Sequence, residues 1–176
     1  MISDRFVLTA AHCLSNQEYG AVKKVRLGVI DLLNDPFTLD CPEDFDVAEI
    51  IPHPEYTSRY VYNDIGLVKL TDRVTYNYHI RPICLPTNSD LPDIFQSMGW
   101  GALGFNAEKS VKLIKVHQEL FPYDECQELY SHNSNRKLNR GILNETHICA
   151  GSRHSIQSTC AVGLDHDILK LYIITH

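Results

Sequence analysis

Apolar and polar residues alternate in short runs along much of the chain. Val25, Leu27 and Val29 fall on one face of such a run, and residues 65–70 and 111–116 form two further apolar runs, the second with imperfect alternation. Alternation at every second residue, and short apolar runs, are typical of strands. Eight prolines and nine glycines punctuate the chain, as turns between short strands require. The pattern predicts an all-β fold.

One segment has helical spacing instead. After Pro122, the residues Cys126, Leu129 and Tyr130 follow the i, i+3, i+4 spacing of one helix face. Two acidic residues occupy the expected first turn, where negative charge is favourable. We therefore predict a helix directly after Pro122.

Two segments separate the strand runs. Residues 31–46 contain six carboxylates and are interpreted as an exposed, solvated loop. A calcium loop is less favoured, because the spacing matches no EF-hand pattern. Prolines 82, 86 and 92 cluster and indicate a connector between two β halves. No internal repeat stands out.

Composition and charge narrow the class of protein. The 176 residues are 44% hydrophobic and 22% charged, which is ordinary for a globular domain and excludes disorder. No stretch approaches the length of a transmembrane segment. The net charge is −6, with only 16 Lys and Arg. This balance argues against nucleic acid and anionic membranes as partners.

The cysteines indicate an oxidising compartment. Six cysteines are scattered singly, and none forms a Cys-x-x-Cys pair that would suggest zinc. Six cysteines allow fifteen disulfide pairings. The sequon at Asn144 agrees with a secreted, extracellular location and is a candidate glycosylation site. The first residues do not resemble a signal peptide, so either the compartment interpretation is wrong or the true N-terminus is missing.

A histidine motif points to specific chemistry. Residues 2–13 read ISDRFVLTAAHC, and this string resembles the histidine motif of the trypsin-like, chymotrypsin-fold serine proteases. A histidine beside a disulfide cysteine can be purely structural, but the whole string favours a catalytic His12. In the family, a neutral imidazole takes the proton of the nucleophile and returns it to the leaving amine.

An aspartate motif follows 52 residues later. Residues 63–70 read NDIGLVKL and resemble the family's aspartate motif, with Gly66 where alanine is usual. Alone, Asp64 would be read as a turn cap before a strand. After His12 in chain order, the resemblance implies the carboxylate that accepts the second N–H of the imidazole.

Further strings extend the resemblance from about residue 2 to residue 160. They are His53–Tyr56, whose histidine is expected to be structural, then Arg81–Pro86, Gly99–Gly101 and Ile148–Gly151. Cys84 in this context, the string SDRFVL at residues 3–8 and the string VYND at residues 61–64 are most similar to arthropod clip-domain proteases of clotting, melanisation and Toll-pathway cascades. The implied fold is a chymotrypsin-like double β-barrel. The corresponding boundaries are 1–85 for the first barrel, 86–98 for a connector, 99–160 for a partial second barrel and 161–176 for a tail unlike the family.

The sequence departs from the family after Cys160. No Gly-Asp-Ser-Gly-Gly run follows it, so the nucleophile and the turn that forms the oxyanion hole are missing from the sequence. Ser158 falls at the position of the primary-pocket floor and offers no charge, which implies a chymotrypsin-like or elastase-like preference. We expect an incomplete double barrel that lacks its first and last strands.

The resemblance also assigns some of the cysteines. It implies a disulfide between Cys126 and Cys149 and a pro-domain tether through Cys84. It leaves Cys13 and Cys160 without their usual partners, and it assigns none to Cys41. It implies neither a cofactor nor a metal.

Two functions remain open. One is an incomplete copy of a secreted serine endopeptidase that acts on protein substrates or cascade proteases and is inactive as written. The other is a non-catalytic protease homologue that binds or regulates such partners. Retention of both His12 and Asp64, together with the loss of whole strands, favours the first.

Overall fold

The structure is a computed structural model, and it describes residues 1–33, 41–86, 92–101, 108–131, 136–151 and 170–171. Strands dominate these residues, and a short 3₁₀ turn lies at Ala11–Cys13. The strands are β1 (Phe6–Thr9), β2 (Ser15–Asn16), β3 (Gly20–Ala21), β4 (Lys24–Leu27), β5 (Glu43–Pro52), β6 (Gly66–Leu70), β7 (Ile94–Gly99), β8 (Ile114–Leu120), β9 (Cys149–Gly151) and β10 (Lys170–Leu171).

The first half of the chain forms an antiparallel sheet in the order β1-β6-β5-β4. Its internal strand β6 alternates buried and half-buried residues, as the apolar run at residues 65–70 predicts. The buried core of this half consists of Leu14, Val68, Leu70, Val74 and Ile80. A small hairpin of β2 and β3 follows the 3₁₀ turn.

Part of the acidic segment is a strand, so its interpretation as a loop is wrong for residues 43–46. In β5, Asp44 and Asp46 lie opposite Arg26 and Lys24 of β4. Arg26 Nε donates to Asp44 Oδ1 over 2.7 Å, and Lys24 Nζ lies 3.1 Å from Asp46 Oδ1. Opposite charges facing each other across two strands stabilise the pairing, which explains why a carboxylate-rich run enters a sheet.

Asp31 also differs from the expected exposed loop. Asp31 is only 2% exposed, and its Oδ1 accepts the N–H of Leu33 over 2.9 Å. A buried carboxylate needs hydrogen-bond donors, and here the backbone two residues later supplies one. Residues 34–40 of the acidic segment lie outside the described residues.

The second half forms an antiparallel sheet in the order β10-β9-β8-β7. Strand β7 begins at Ile94, within the span 86–98 that the sequence assigned to a connector. After Ile94 it has no further β-branched residue, and Gln96 and Ser97 are two consecutive polar residues in its centre, so the alternation in the sequence was weak. The division of the chain into the four ranges 1–85, 86–98, 99–160 and 161–176 stays a prediction.

Strand β8 starts later than the sequence suggested, because residues 111–113 pair with the first half. Lys112 forms an isolated antiparallel bridge with Asp31. The N–H of Leu32 donates to the carbonyl of Val111, and the N–H of Leu113 donates to the carbonyl of Ile30. The indole Nε1–H of Trp100 also donates to the Ile30 carbonyl, over 3.0 Å. These bonds join the two halves at one end.

The predicted helix is confirmed as α1 (Tyr123–Ser131), with Asp124 and Glu125 in its first turn. Cys126 on this helix packs with Phe121 and Ile142 in the core of the second half. At nine residues α1 is short, and no helix among the described ranges is long and apolar enough to cross a membrane.

Most of the tail, residues 161–176, lies outside the described residues. Its residues 170 and 171 form strand β10, which pairs with Cys149 and Ala150 of β9.

Candidate active site

The pairing of β1 with β6 brings the two motif residues together. In this antiparallel pair, Thr9 at the end of β1 lies opposite Gly66 at the start of β6. His12 follows Thr9 in the 3₁₀ turn, and Asp64 precedes Gly66, so both are at the same end of the sheet. Residues far apart in sequence therefore become neighbours through strand register.

Both oxygens of Asp64 hold His12. The backbone N–H of His12 donates to Asp64 Oδ1 over 2.8 Å, and His12 Nδ1 lies 2.6 Å from Asp64 Oδ2. An ionised carboxylate only accepts hydrogen bonds, so Nδ1 carries a proton, and in the neutral imidazole Nε2 then has the lone pair. The predicted contact between the two side chains is confirmed, and their catalytic role stays a prediction.

Gly66 explains one departure from the family motif. A Cβ on Gly66 would lie 2.7 Å from Leu14 Cδ1 and 3.1 Å from the carbonyl oxygen of Ile51. Leu14 is buried directly after the turn that carries His12. Glycine at position 66 therefore lets Leu14 pack against the start of β6, which brings the histidine turn close to Asp64.

The loop of residues 53–56 borders this pair. His53 has a structural contact, since its Nδ1 accepts the N–H of Glu55 over 3.2 Å. Burial raises the pKa of the Tyr56 hydroxyl above its usual value, and the negative charge of Asp64 and then Cys13 add to this effect. Tyr56 therefore stays protonated and neutral beside the carboxylate.

A cluster that sequence reasoning missed lies next to Asp64. Tyr62 is 5% exposed, and its ring contacts the guanidinium of Arg140 and the ring of His147 from the second half. Burial lowers the pKa of His147, and the positive charge of Arg140 lowers it further. Tyr62 stood inside the family-like string before Asp64, but no sequence signal connected it to Arg140 or His147.

The predicted disulfide is confirmed. Cys126 of α1 and Cys149 of β9 are bonded, with Cα atoms 6.3 Å apart. Cys41 and Cys84 are exposed and form no disulfide within the described part of the chain. Ser158 and Cys160 lie outside the described residues.

The sequon lies at the tip of an ordered turn. Asn144 and Thr146 are both exposed, and the N–H groups of Thr146 and His147 donate to the carbonyl of Leu143. His147 Nδ1 accepts the N–H of Leu143 over 2.9 Å, which closes the turn from below. The asparagine side chain is thus accessible from solvent.

Comparison with protein families identifies one match. The family model described as Trypsin matches residues 1–161 of this chain. The match covers both motif residues and the strands β1 to β9, and it ends one residue after Cys160, close to where the sequence departs from the family pattern.

Individual relatives come from insects. The chain is 36% identical over 169 residues to phenoloxidase-activating factor 3 of Holotrichia diomphalia, with 86% of this chain and 45% of the relative covered. It is 35% identical over 162 residues to serine protease snk of Drosophila melanogaster, covering 91% and 35%. It is 33% identical over 176 residues to CLIP domain-containing serine protease B4 of Anopheles gambiae, covering 92% and 46%. The chain thus spans less than half the length of these relatives.

A solved structure shares the fold. The structure of GrC superposes with a TM-score of 0.69 at 28% identity, covering 86% of this chain and 61% of that one. Together with the two antiparallel sheets, this likeness confirms the predicted all-β, chymotrypsin-like double barrel, of which the described residues form part.

Proposed function

The chain belongs to the trypsin family of serine proteases, and on that premise we propose that His12 and Asp64 are the acid–base pair of an extracellular serine endopeptidase. The observation that carries the proposal is the double hydrogen bond between Asp64 and His12. The names of the insect relatives, among them a phenoloxidase-activating factor, support protein substrates within an arthropod immune, clotting or developmental cascade.

The geometry suits the family's reaction. With Nδ1–H held by Asp64, His12 Nε2 can take the proton of a serine hydroxyl as the hydroxyl attacks the peptide carbonyl. The imidazolium then gives that proton to the leaving amine, and Asp64 stabilises its positive charge. Half of the His12 side chain is exposed, so a substrate and a nucleophile can approach it.

We propose that the 176-residue chain is itself inactive. It contains no Gly-Asp-Ser-Gly-Gly run, so His12 has no family-type serine to activate, and the loop that would hold the oxyanion is missing with it. We expect the purified chain neither to hydrolyse peptide esters above the buffer rate nor to react with a fluorophosphonate. An intact trypsin-family protease serves as positive control, and stoichiometric labelling of any serine in this chain would contradict the proposal.

The missing nucleophile also favours a second function. A protease homologue without its serine can bind cascade partners through the surface that the fold presents. A monodisperse chain with a cooperative thermal transition and no hydrolysis would support this binding role over an incomplete enzyme.

Two finer assignments belong to the same proposal. We propose that Ser158 forms the floor of an uncharged primary pocket, which would favour apolar side chains over Arg or Lys in the substrate. We also propose that Cys84 tethers a pro-domain, and its exposure supports this assignment.

We propose that Asn144 carries an N-linked glycan, which its exposed turn supports. Expressed through a secretory pathway, the chain should lose mass on treatment with a peptide N-glycosidase, and its Asn144→Gln variant should not. Asn139→Gln, a nearby exposed asparagine outside any sequon, is the matched control and should leave the mass loss unchanged. A secreted parent chain without a glycan would contradict the assignment.

A further inference from the structure

The side chain of Tyr62 attaches the segment that leads into Asp64 to the second half of the molecule. Tyr62 Oη donates to the carbonyl of Gly141 over 2.9 Å and accepts the N–H of Arg140 over 2.7 Å. The guanidinium carbon of Arg140 lies 4.2 Å from the Tyr62 ring centroid. The His147 ring stacks on Tyr62 at a centroid distance of 5.5 Å. We call these contacts the Tyr62 anchor.

His147 supports the anchor as a neutral ring. It is 6% exposed, and its Nδ1 accepts the N–H of Leu143, so that nitrogen carries no proton. A neutral imidazole stacks on Tyr62 without repelling the guanidinium of Arg140. Burial and then the positive charge of Arg140 itself favour this neutral form, because both lower the pKa of His147. Next to Tyr62, the N–H of Val61 donates to the carbonyl of Lys137, which adds a backbone link to the same loop.

On its other side Asp64 is fixed by a tight turn. Asn63 has a φ of 55°, in the left-handed region, and the N–H of Ile65 donates to the carbonyl of Asn63 over 2.8 Å. Strand β6 starts directly afterwards, at Gly66. Asp64 is therefore held on one side by the sheet of the first half and on the other by the Tyr62 anchor, which contacts the second half.

This matters because the His12–Asp64 pair is not held by burial. The His12 side chain is 50% exposed and that of Asp64 is 28% exposed. A hydrogen-bonded pair with this much solvent contact contributes little stability by itself, so its geometry depends on the backbone that presents it. We infer that Tyr62 is a positioning residue for the His12–Asp64 pair, because it fixes the segment entering Asp64 against residues 137–147. The inference rests on the proposed function only in assigning an acid–base role to His12 and Asp64.

The test measures the His12–Asp64 hydrogen bond itself by proton NMR of the whole chain. Tyr62→Phe keeps the ring and removes both hydrogen bonds of the hydroxyl. We expect the His12 Nδ1 proton to exchange with water about tenfold faster in this variant, an effect of the size that the loss of such hydrogen bonds produces. The backbone amide of Val68, in the internal strand β6, should change less than about twofold, since the sheet is untouched.

The matched control is Tyr60→Phe, in the same loop with its ring 6.4 Å from that of Tyr62. It should leave both exchange rates unchanged. Arg140→Gln is a milder second variant, because it keeps the backbone N–H that bonds to Tyr62 and loses only the cation over the ring. It should speed exchange of the His12 proton about threefold.

Three results would overturn the inference. The first is an unchanged His12 proton in Tyr62→Phe, or in Arg140→Gln if Tyr62→Phe does not fold. The second is an equal acceleration at His12 and Val68, which would mark Tyr62 as a general stabilising residue. The third is the lack of a slowly exchanging His12 Nδ1 proton in the parent chain. None of these readouts needs hydrolysis, so an inactive chain leaves the test intact, and failure of the test leaves the proposed acid–base role open to its own assay.

Discussion

Asp64→Asn should lower kcat about 10⁴-fold in a chimaera that joins residues 2–160 to the flanking segments of an active trypsin-family protease. The Asp64 carboxylate accepts both the backbone N–H and the Nδ1–H of His12. An amide in its place offers an NH₂ group to Nδ1, which favours the imidazole tautomer with its proton on Nε2. That tautomer has no lone pair facing the serine, so it is unable to take the proton.

His12→Ala should cost more in the same chimaera, about 10⁶-fold, because the base itself is removed. The double variant should be no slower than His12→Ala alone, since Asp64 acts only through His12. Active-site titration and kcat measurements on the three variants check this pattern. His79→Ala is the control, because its exposed ring contacts Tyr78 on a different loop. A loss below about tenfold for Asp64→Asn would contradict the assigned role.

The His12–Asp64 contact could be predicted because both residues lie in strings that resemble the family's histidine and aspartate motifs, and the resemblance implied that they meet. The structure supplies the physical reason, since the antiparallel pairing of Thr9 with Gly66 places the residues that flank β1 and β6 at the same end of the sheet. No local pattern predicted that pairing. The helix after Pro122, by contrast, could be predicted locally, since its apolar spacing and acidic first turn lie within nine residues.

Several features that sequence reasoning missed depend on contacts between distant segments. Asp44 and Asp46 were interpreted as loop residues because their partners Arg26 and Lys24 become visible only when the register of β4 and β5 is known. Residues 111–113 looked like the start of a strand, but they pair with the first half through Asp31. The Tyr62 anchor needs the two halves to be docked, which no local pattern reports.

Those same contacts show how the second half influences the site. Both members of the His12–Asp64 pair lie in the first half of the chain. Residues 137–147 of the second half nevertheless contact the segment that leads into Asp64. Residues 137–147 lie between the two bonded cysteines in sequence. The disulfide joins Cys126 in the helix before this loop to Cys149 in the strand after it. Stability of the disulfide loop and geometry of the pair are therefore connected through Tyr62.

Replacing both cysteines, Cys126→Ala with Cys149→Ala, should lower the free energy of unfolding by about 3 kcal/mol. The crosslink spans 23 residues, and the chain-entropy model gives about this value for a loop of that size. Cys126 is 2% exposed in the core of the second half, so alanine also removes some packing there. Since domains are stable by only about 5–15 kcal/mol, the loss should be visible as a lower urea midpoint.

Cys84→Ala is the control for this experiment, because Cys84 is exposed and forms no disulfide among the described residues. It should shift the free energy of unfolding by less than about 0.5 kcal/mol, as surface substitutions usually do. Equal urea midpoints for the double variant and Cys84→Ala would contradict a stabilising crosslink, as would peptide mapping that finds Cys126 or Cys149 as a free thiol. In the double variant the His12 Nδ1 proton should also exchange faster. Residues 137–147, which contact Tyr62, then belong to a loop that the disulfide no longer closes.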